Sequence, residues 1–169
     1  MIETERLLLR GFAESDAKAA HALFCDEEAM RMVGMYPPFT RLEETTERIN
    51  RWAKQKERLA IVLKETGALI GYIVIKPDSE EGRKDTCELG FALAAPYRGQ
   101  GYMKEAVNAI LKKLSQESIA YVWACCFKVN AASERLIRSL GFEFQEAGTY
   151  FSPNDREYES LEFRIALHP

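Results

Sequence analysis

Tyr97-Arg98-Gly99-Gln100-Gly101-Tyr102-Met103-Lys104 stands between a strand and the most regular helix of the chain, and the architecture turns on these eight residues. Upstream, Thr86–Leu93 is a strand-forming run closed by Ala94-Ala95-Pro96, since proline cannot donate to a β-ladder. Downstream, Tyr102, Met103, Ala106, Val107, Ile110, Leu111 and Leu114 recur at the three-four spacing of one buried helical face. Gly99 and Gly101 let the backbone between them tighten and approach a ligand closely. The first N–H groups of the helix have no internal partners, and with the helix dipole they favour an anion, ideally a diphosphate. Arg98 and Lys104 stand where they would add charge-assisted contacts. The bare alternative is a glycine-rich helix entry that binds nothing.

Outward from the turn, Ala132, Leu136, Ile137 and Leu140 repeat the helical spacing, and Gly141 follows where a C′ glycine ends a helix. Towards the N-terminus, Arg6–Phe12 reads as a strand, and Ser15-Asp16 caps a helix running to about Cys25. Thr40-x-x-Glu43 reads as a capping box opening a helix over roughly Leu42–Lys56, with Ile49 and Trp52 inward. Leu59–Lys64 and Ala68–Lys76 form a hairpin around Glu65-Thr66-Gly67, followed by a polar loop over Pro77–Asp85. Ile119–Phe127 is a further strand. Phe142–Tyr150 and Tyr158–Leu167 make a last pair around the turn cluster Ser152-Pro153-Asn154-Asp155. The order β-α-α-β-β-β-α-β-α-β-β, with no linker or repeat, predicts one α/β (α+β) domain over residues 1–169. It has a mixed sheet of about seven strands flanked by about four helices.

Bulk properties narrow the function. A chain of 169 residues buries a sizeable core without disulfides or metals, and 47% hydrophobic with 29% charged residues is ordinary globular composition. A net charge of −3 argues against a nucleic-acid partner. The start Met1-Ile2-Glu3-Thr4-Glu5-Arg6 lacks a signal peptide's cationic and apolar regions, and the longest apolar run, Ala68–Ile75, is too short to span a bilayer. Cys25, Cys87, Cys125 and Cys126 show no metal spacing and read as reduced core thiols of a cytoplasmic protein, the adjacent pair on opposite faces of its strand. His21 and His168 are the only histidines, one in the first predicted helix and the other next to the terminus, which supports neither a triad nor a metal site, so no metal is expected.

Three phosphate-binding patterns compete for the turn. A Walker A loop requires G-K-[ST] after four intervening residues, which is absent. A dinucleotide fingerprint requires a third glycine where the chain has Lys104. The looser [QR]-x-x-G-x-[GA] pattern fits Arg98, Gly99, Gln100, Gly101 and Tyr102, with Met103 in place of the usual small residue. With this pattern the chain resembles the GNAT acetyltransferases, in the branch that includes the ribosomal-protein-alanine N-acetyltransferases. The resemblance runs from Thr4-Glu5-Arg6-Leu7-Leu8-Leu9-Arg10, through Cys87-Glu88-Leu89-Gly90-Phe91, to Asn130-Ala131-Ala132-Ser133 and Leu140-Gly141-Phe142. It implies a mainly antiparallel sheet and transfer of an acetyl group from acetyl-CoA to a primary amine, by direct attack in a ternary complex.

The resemblance also implies roles. The strand Glu88–Leu93 splays from Ile119–Phe127, so that pantetheine lies in the gap and bonds to main-chain groups of Phe91, Ala92 and Leu93 as an added strand would. One of those N–H groups polarises the thioester carbonyl. The N–H groups from Gly99 to Lys104 hold the diphosphate, and Asn130 contacts the cofactor arm. Glu88 is the candidate base for the protonated amine, directly or through water; the other reading is that it pairs with a cation or fixes its strand. The tyrosine that many members carry seven residues after this asparagine is Ile137 here. Ser133 is then the candidate donor to the leaving thiolate, or a hydroxyl capping the helix.

Met30, Met32 and Met35 before Tyr36-Pro37-Pro38-Phe39 read as a loop packed on the core, or as one wall of an acceptor site with Tyr150 to Tyr158 opposite. Asp26-Glu27-Glu28 and Glu43-Glu44 either attract a cationic acceptor or are solvated helix faces. The acceptor is a small amine or a protein N-terminus, and a non-catalytic acyl-CoA-binding module is the competing reading. The chain is expected as a monomer or a homodimer, the latter through an exposed final strand.

Overall fold

The computed structural model describes residues 1–35, 37–77, 83–151 and 157–167. Tyr36, His168, the turn cluster 152–155 and most of the loop after Pro77 lie outside them. Among the described residues the chain forms β1 (Ile2–Glu3), β2 (Leu7–Gly11), α1 (Ala17–Phe24), α2 (Glu27–Met32), α3 (Leu42–Trp52), β3 (Arg58–Leu63), β4 (Leu69–Pro77), β5 (Thr86–Leu93), α4 (Tyr102–Ser115), β6 (Tyr121–Phe127), α5 (Ala131–Ser139), β7 (Glu143–Phe151) and β8 (Glu157–Ala166). The eight strands are mixed and mostly antiparallel. The chain resolves into two compact units, Met1–Val74 with Phe91–Ala106, and Ile75–Gly90 with Val107–Pro169.

In the first unit the strand order is β1-β2-β3-β4-β5. β2 meets β3 antiparallel from Leu7↔Leu63 to Gly11↔Leu59, and β3 meets β4 from Arg58↔Val74. Leu7 and Leu9 are buried while Leu8 and Arg10 are half-buried, the period of two that a strand imposes. The core gathers Phe12, Leu23, Phe24, Met30, Ile49, Trp52, Tyr72 and Ala92. Trp52 lies edge-on to Phe12, Phe24 and Tyr72 at 5.2, 5.4 and 5.0 Å between ring centres, contacts that add about 0.5 to 1.5 kcal/mol each beyond burial. Arg10 reaches off β2 to grip Asp16 through two bonds of 2.7 and 2.8 Å, and Asp16 also accepts the Ala13 N–H at 2.8 Å.

Three local expectations change here. The capping box at Thr40 and Glu43 does not form. Arg41 occupies the N-cap, and the Glu44 carboxylate accepts the N–H groups of Thr40 and Arg41 at 3.0 and 2.9 Å, one residue later than expected. The helix also stops at Trp52 rather than Lys56, where the chain turns polar before entering β3. The methionine segment read as a loop begins instead as α2: Asp26 Oδ1 caps it by accepting the Ala29 N–H at 2.9 Å, while Glu27 and Glu28 lie exposed, the solvated helix face of one reading. α2 carries Met30 into the core, while Met35 packs against it from the following loop.

In the second unit the order is β5-β6-β8-β7. The parallel ladder of β5 and β6 runs from Thr86↔Tyr121 to Leu89↔Ala124 and ends there, while β6 continues beside β8 to Phe127↔Ser160. The apolar faces of α4 and α5 are buried through Val107, Ile110, Leu111, Leu114 and Ile137, with Leu89, Val122, Ala124 and Phe163 of the strands also buried. α5 ends as expected at Gly141 (φ +89°): Phe142 N–H donates to Ile137 O and Gly141 N–H to Arg138 O, satisfying two orphan carbonyls. The final strand β8 is not the edge. It lies between β6 and β7, so β7, with Phe144 and Phe151 exposed, is the strand left open.

The thiols are not all in the core: Cys87 and Cys126 are buried, whereas Cys25 and Cys125 are exposed. The adjacent pair does point to opposite faces, and burial pushes the Cys126 thiol up to about 11. No helix among the described residues is long and apolar enough to cross a membrane.

Candidate functional site

The turn after β5 is built in the first unit. A 3-10 turn over Ala95–Tyr97 leads into Arg98, and Gly99 and Gly101 take φ of +76° and +81°, the left-handed region that glycine enters without a steric cost. At Gly99 nothing lies within 4 Å of where a Cβ would stand, so the cradle is open on that side. The helical ladder of α4 begins with Glu105 N–H on Gly101 O at 3.0 Å. Among the described residues, no backbone or side-chain acceptor takes an N–H from Gly99, Gln100, Gly101, Tyr102, Met103 or Lys104. Six successive free donors at the positive end of a helix suit a diphosphate.

Side chains divide the work differently from the sequence pattern. Gln100 Nε2 donates back to Pro96 O at 2.9 Å, which closes the turn on itself. Arg98 Nε donates to Leu93 O at 3.0 Å, and its guanidinium meets Asp26 at 3.3 Å, so it braces the turn against β5 and α2. Met103 is buried and joins the apolar face of α4, while Lys104 is exposed. On β5, Ala92 is buried and its carbonyl lies where a Cβ on Gly71 of β4 would collide with it, so β4 closely covers that side of the backbone. Phe91 and Leu93 are half-buried.

The remaining candidates belong to the second unit. Glu88 sits opposite Trp123 in the β5–β6 register, with its side chain 36% exposed and a long ion pair of 3.5 Å to Lys76. Asn130 is the N-cap of α5: its Oδ1 accepts the Ser133 N–H at 3.1 Å. That settles the capping partner, since Ser133 contributes its N–H and not its hydroxyl to the cap. Ile137 is fully buried, so the position at which a tyrosine is usual faces the core.

Sequence reading passed over Arg6, Glu105 and the second role of Asp26. Arg6 Nη1 donates to Gln100 O at 3.0 Å from 94 residues away in sequence, and Glu105 accepts from both Thr4 and Arg6. His21 joins Thr45 through Nδ1 at 2.7 Å and so ties α1 to α3. Among the described residues no group of three or more His, Cys, Asp or Glu is placed to hold a metal.

Comparisons with known proteins bear on this geometry. Residues 6–143 match the family described as acetyltransferase (GNAT) domain. The uncharacterized N-acetyltransferase YoaA of Bacillus subtilis (strain 168) is 27% identical, over 98% of this chain and 96% of its own length. The structure of a GNAT-family acetyltransferase from Bacillus anthracis superposes with a TM-score of 0.87 at 24% identity, covering 98% of each chain. The ribosomal-protein-S5-alanine acetyltransferase of Vibrio fischeri gives 0.76 at 17% identity over 99% of this chain and 98% of that one. The spermidine N-acetyltransferase of Vibrio cholerae, in complex with CoA and spermine, gives 0.79 at 18% over 97% of each.

Proposed function

Because the chain belongs to the GNAT acetyltransferase family, whose members take an acetyl group from acetyl-CoA, we propose that it transfers that group to a primary amine by direct attack in a ternary complex. The observation that carries this reading is the run of six unpartnered N–H groups, Gly99 to Lys104, at the start of α4. In the proposed site they hold the diphosphate, with Lys104 adding charge and Arg98 bracing the turn. Main-chain groups of Phe91, Ala92 and Leu93 bind the pantetheine arm, and one of their N–H groups polarises the thioester carbonyl. The side-chain amide of Asn130 contacts the arm, its oxygen being committed to the α5 cap.

A primary amine is protonated at neutral pH and attacks only after losing a proton. Glu88 takes that proton, directly or through one water; its ion pair to Lys76 is long and its side chain is open to solvent. The neutral amine nitrogen then attacks the thioester carbon and the C–S bond breaks. The second proton that nitrogen sheds on becoming an amide replaces the one given to the thiolate by its donor hydroxyl, which ends neutral. Ser133 is the proposed donor, since its hydroxyl is not used in the cap. The acceptor is a small amine or a protein N-terminus: the V. cholerae neighbour was solved with spermine, the V. fischeri neighbour is named for an alanine of a ribosomal protein. The whole chain acts as one acetyltransferase domain, in the cytoplasm, as a monomer or homodimer.

Release of free thiol from acetyl-CoA across small amines, aminoglycosides and N-terminal peptides tests this reading. Turnover with one class identifies the acceptor. Saturable CoA binding with no thiol release from any acceptor instead favours a non-catalytic acyl-CoA-binding module, the reading that the buried Ile137 supports. In the same assay Glu88→Gln lowers kcat by about a hundredfold or more while CoA affinity stays put. An unchanged rate at every pH removes Glu88 from the role of base.

A further inference from the structure

Thr4–Arg10 resembles the opening strand of the family, yet nothing in the chemistry above uses Arg6. Its contacts nevertheless run to the turn. The main-chain N–H of Arg6 donates to Glu105 Oε1 at 2.9 Å and its Nε to Oε2 at 2.7 Å. Thr4 Oγ1 donates to the same carboxylate at 2.5 Å. Arg6 Nη1 donates to Gln100 O at 3.0 Å, and the guanidinium carbon stands 4.4 Å from the centre of the Tyr102 ring. Its Nη2 is the nearest atom to a Cβ built on Gly101, at 3.5 Å. One side chain at the entry to β2 thus holds the central carbonyl of the turn, the first residue of α4 and the first acid of that helix.

We infer that Arg6 is a positioning residue for the diphosphate-binding turn: it aims the Gln100–Gly101 peptide and neutralises Glu105 beside the bound anion. The inference rests on the acetyl-CoA reading proposed above. A trans peptide is planar, so its C=O and N–H point in opposite directions. Holding Gln100 C=O against Arg6 turns the Gly101 N–H to the other side, where it meets no acceptor of the described residues. Two glycines give this turn more backbone freedom than any other residue pair would, and donors that must be ordered when ligand arrives bind it less well than donors already in place.

Charge supplies the second part. A carboxylate in the first turn suits a bare helix N-terminus but repels a diphosphate at the same end. Burial alone would raise the Glu105 carboxyl, but the Thr4 and Arg6 hydrogen bonds outweigh it and hold the group ionised, below the ordinary carboxylate range. The guanidinium beside it cancels that charge. A lysine keeps the charge but has no planar fork with which to reach Glu105 and Gln100 together.

The test compares two acetyl donors, acetyl-CoA and S-acetylpantetheine, which lacks the diphosphate, and measures CoA affinity by calorimetry. If wild-type protein neither binds CoA nor releases thiol, the acetyl-CoA reading itself fails, a result distinct from any below. With an active wild type, Arg6→Ala raises the CoA Kd and the acetyl-CoA KM by roughly tenfold to a hundredfold, the range for losing contacts to one charged group. Turnover at saturating acetyl-CoA, and the rate with S-acetylpantetheine, stay at the wild-type value. Arg6→Lys shifts affinity in the same direction by less and, should the alanine variant not fold, carries the test by itself. An unchanged CoA Kd overturns the inference. So does an equal loss with both donors, which marks a general structural defect.

Discussion

Asp16 is a nearly buried carboxylate that stays ionised because Arg10 and the Ala13 N–H reach it together. Burial by itself would raise its pKa; the Arg10 hydrogen bonds, the Ala13 N–H and the Arg10 charge outweigh that and hold it below the usual carboxylate range. Since the folded group binds its proton more weakly than the unfolded one, its stabilisation is complete above the unfolded pKa of about 3.9 and is lost as pH falls through the folded value. Asp16→Asn therefore costs about 2 kcal/mol at neutral pH, and its gap to wild type narrows below about pH 4. Urea unfolding at both pH values measures this, and a gap that widened towards acid would contradict the assignment. The residue type was legible beforehand only as a helix cap. Its partner was not, because Arg10 meets it across a turn that joins a strand to a helix.

Elements were legible in proportion to their length. α4 and α5 announce themselves by spacing, and the Gly141 stop falls where the sequence puts it. β1 with two residues and α2 with six are too short for a period to show, so neither was expected as an element, although Glu27 and Glu28 do form a solvated helix face. At α3 two carboxylates compete for one cap, and Glu44 rather than Glu43 reaches back to the free N–H groups. Asn130 as N-cap fixes the phase of α5, which turns residue 137 into the core. Substituting Ile137→Tyr accordingly overpacks the second unit, costs about 1 to 3 kcal/mol in denaturant unfolding, and leaves kcat no higher. A higher kcat at unchanged stability would show instead that the position opens onto the leaving thiolate.

At the scale of the whole chain, ligand binding and stability are linked. A ligand that binds only the folded protein, present at a hundred times its Kd, stabilises by about 2.7 kcal/mol. CoA should therefore raise the unfolding midpoint in a concentration-dependent way, and a midpoint indifferent to CoA would remove the diphosphate site from this chain. By itself the sequence determined the family, the order of the long elements and the place of the glycine turn before α4, because helical period, glycine positions and proline stops are local properties of adjacent residues. It did not determine which side chains hold that turn in shape. Arg6 meets Gln100 and Glu105 across 94 and 99 residues of sequence, and Arg98 meets Asp26 across 72. Contacts of that separation leave no periodic trace in a sequence. Only the tertiary structure decided them, by bringing the entry to β2 and the start of α2 to the same glycine turn.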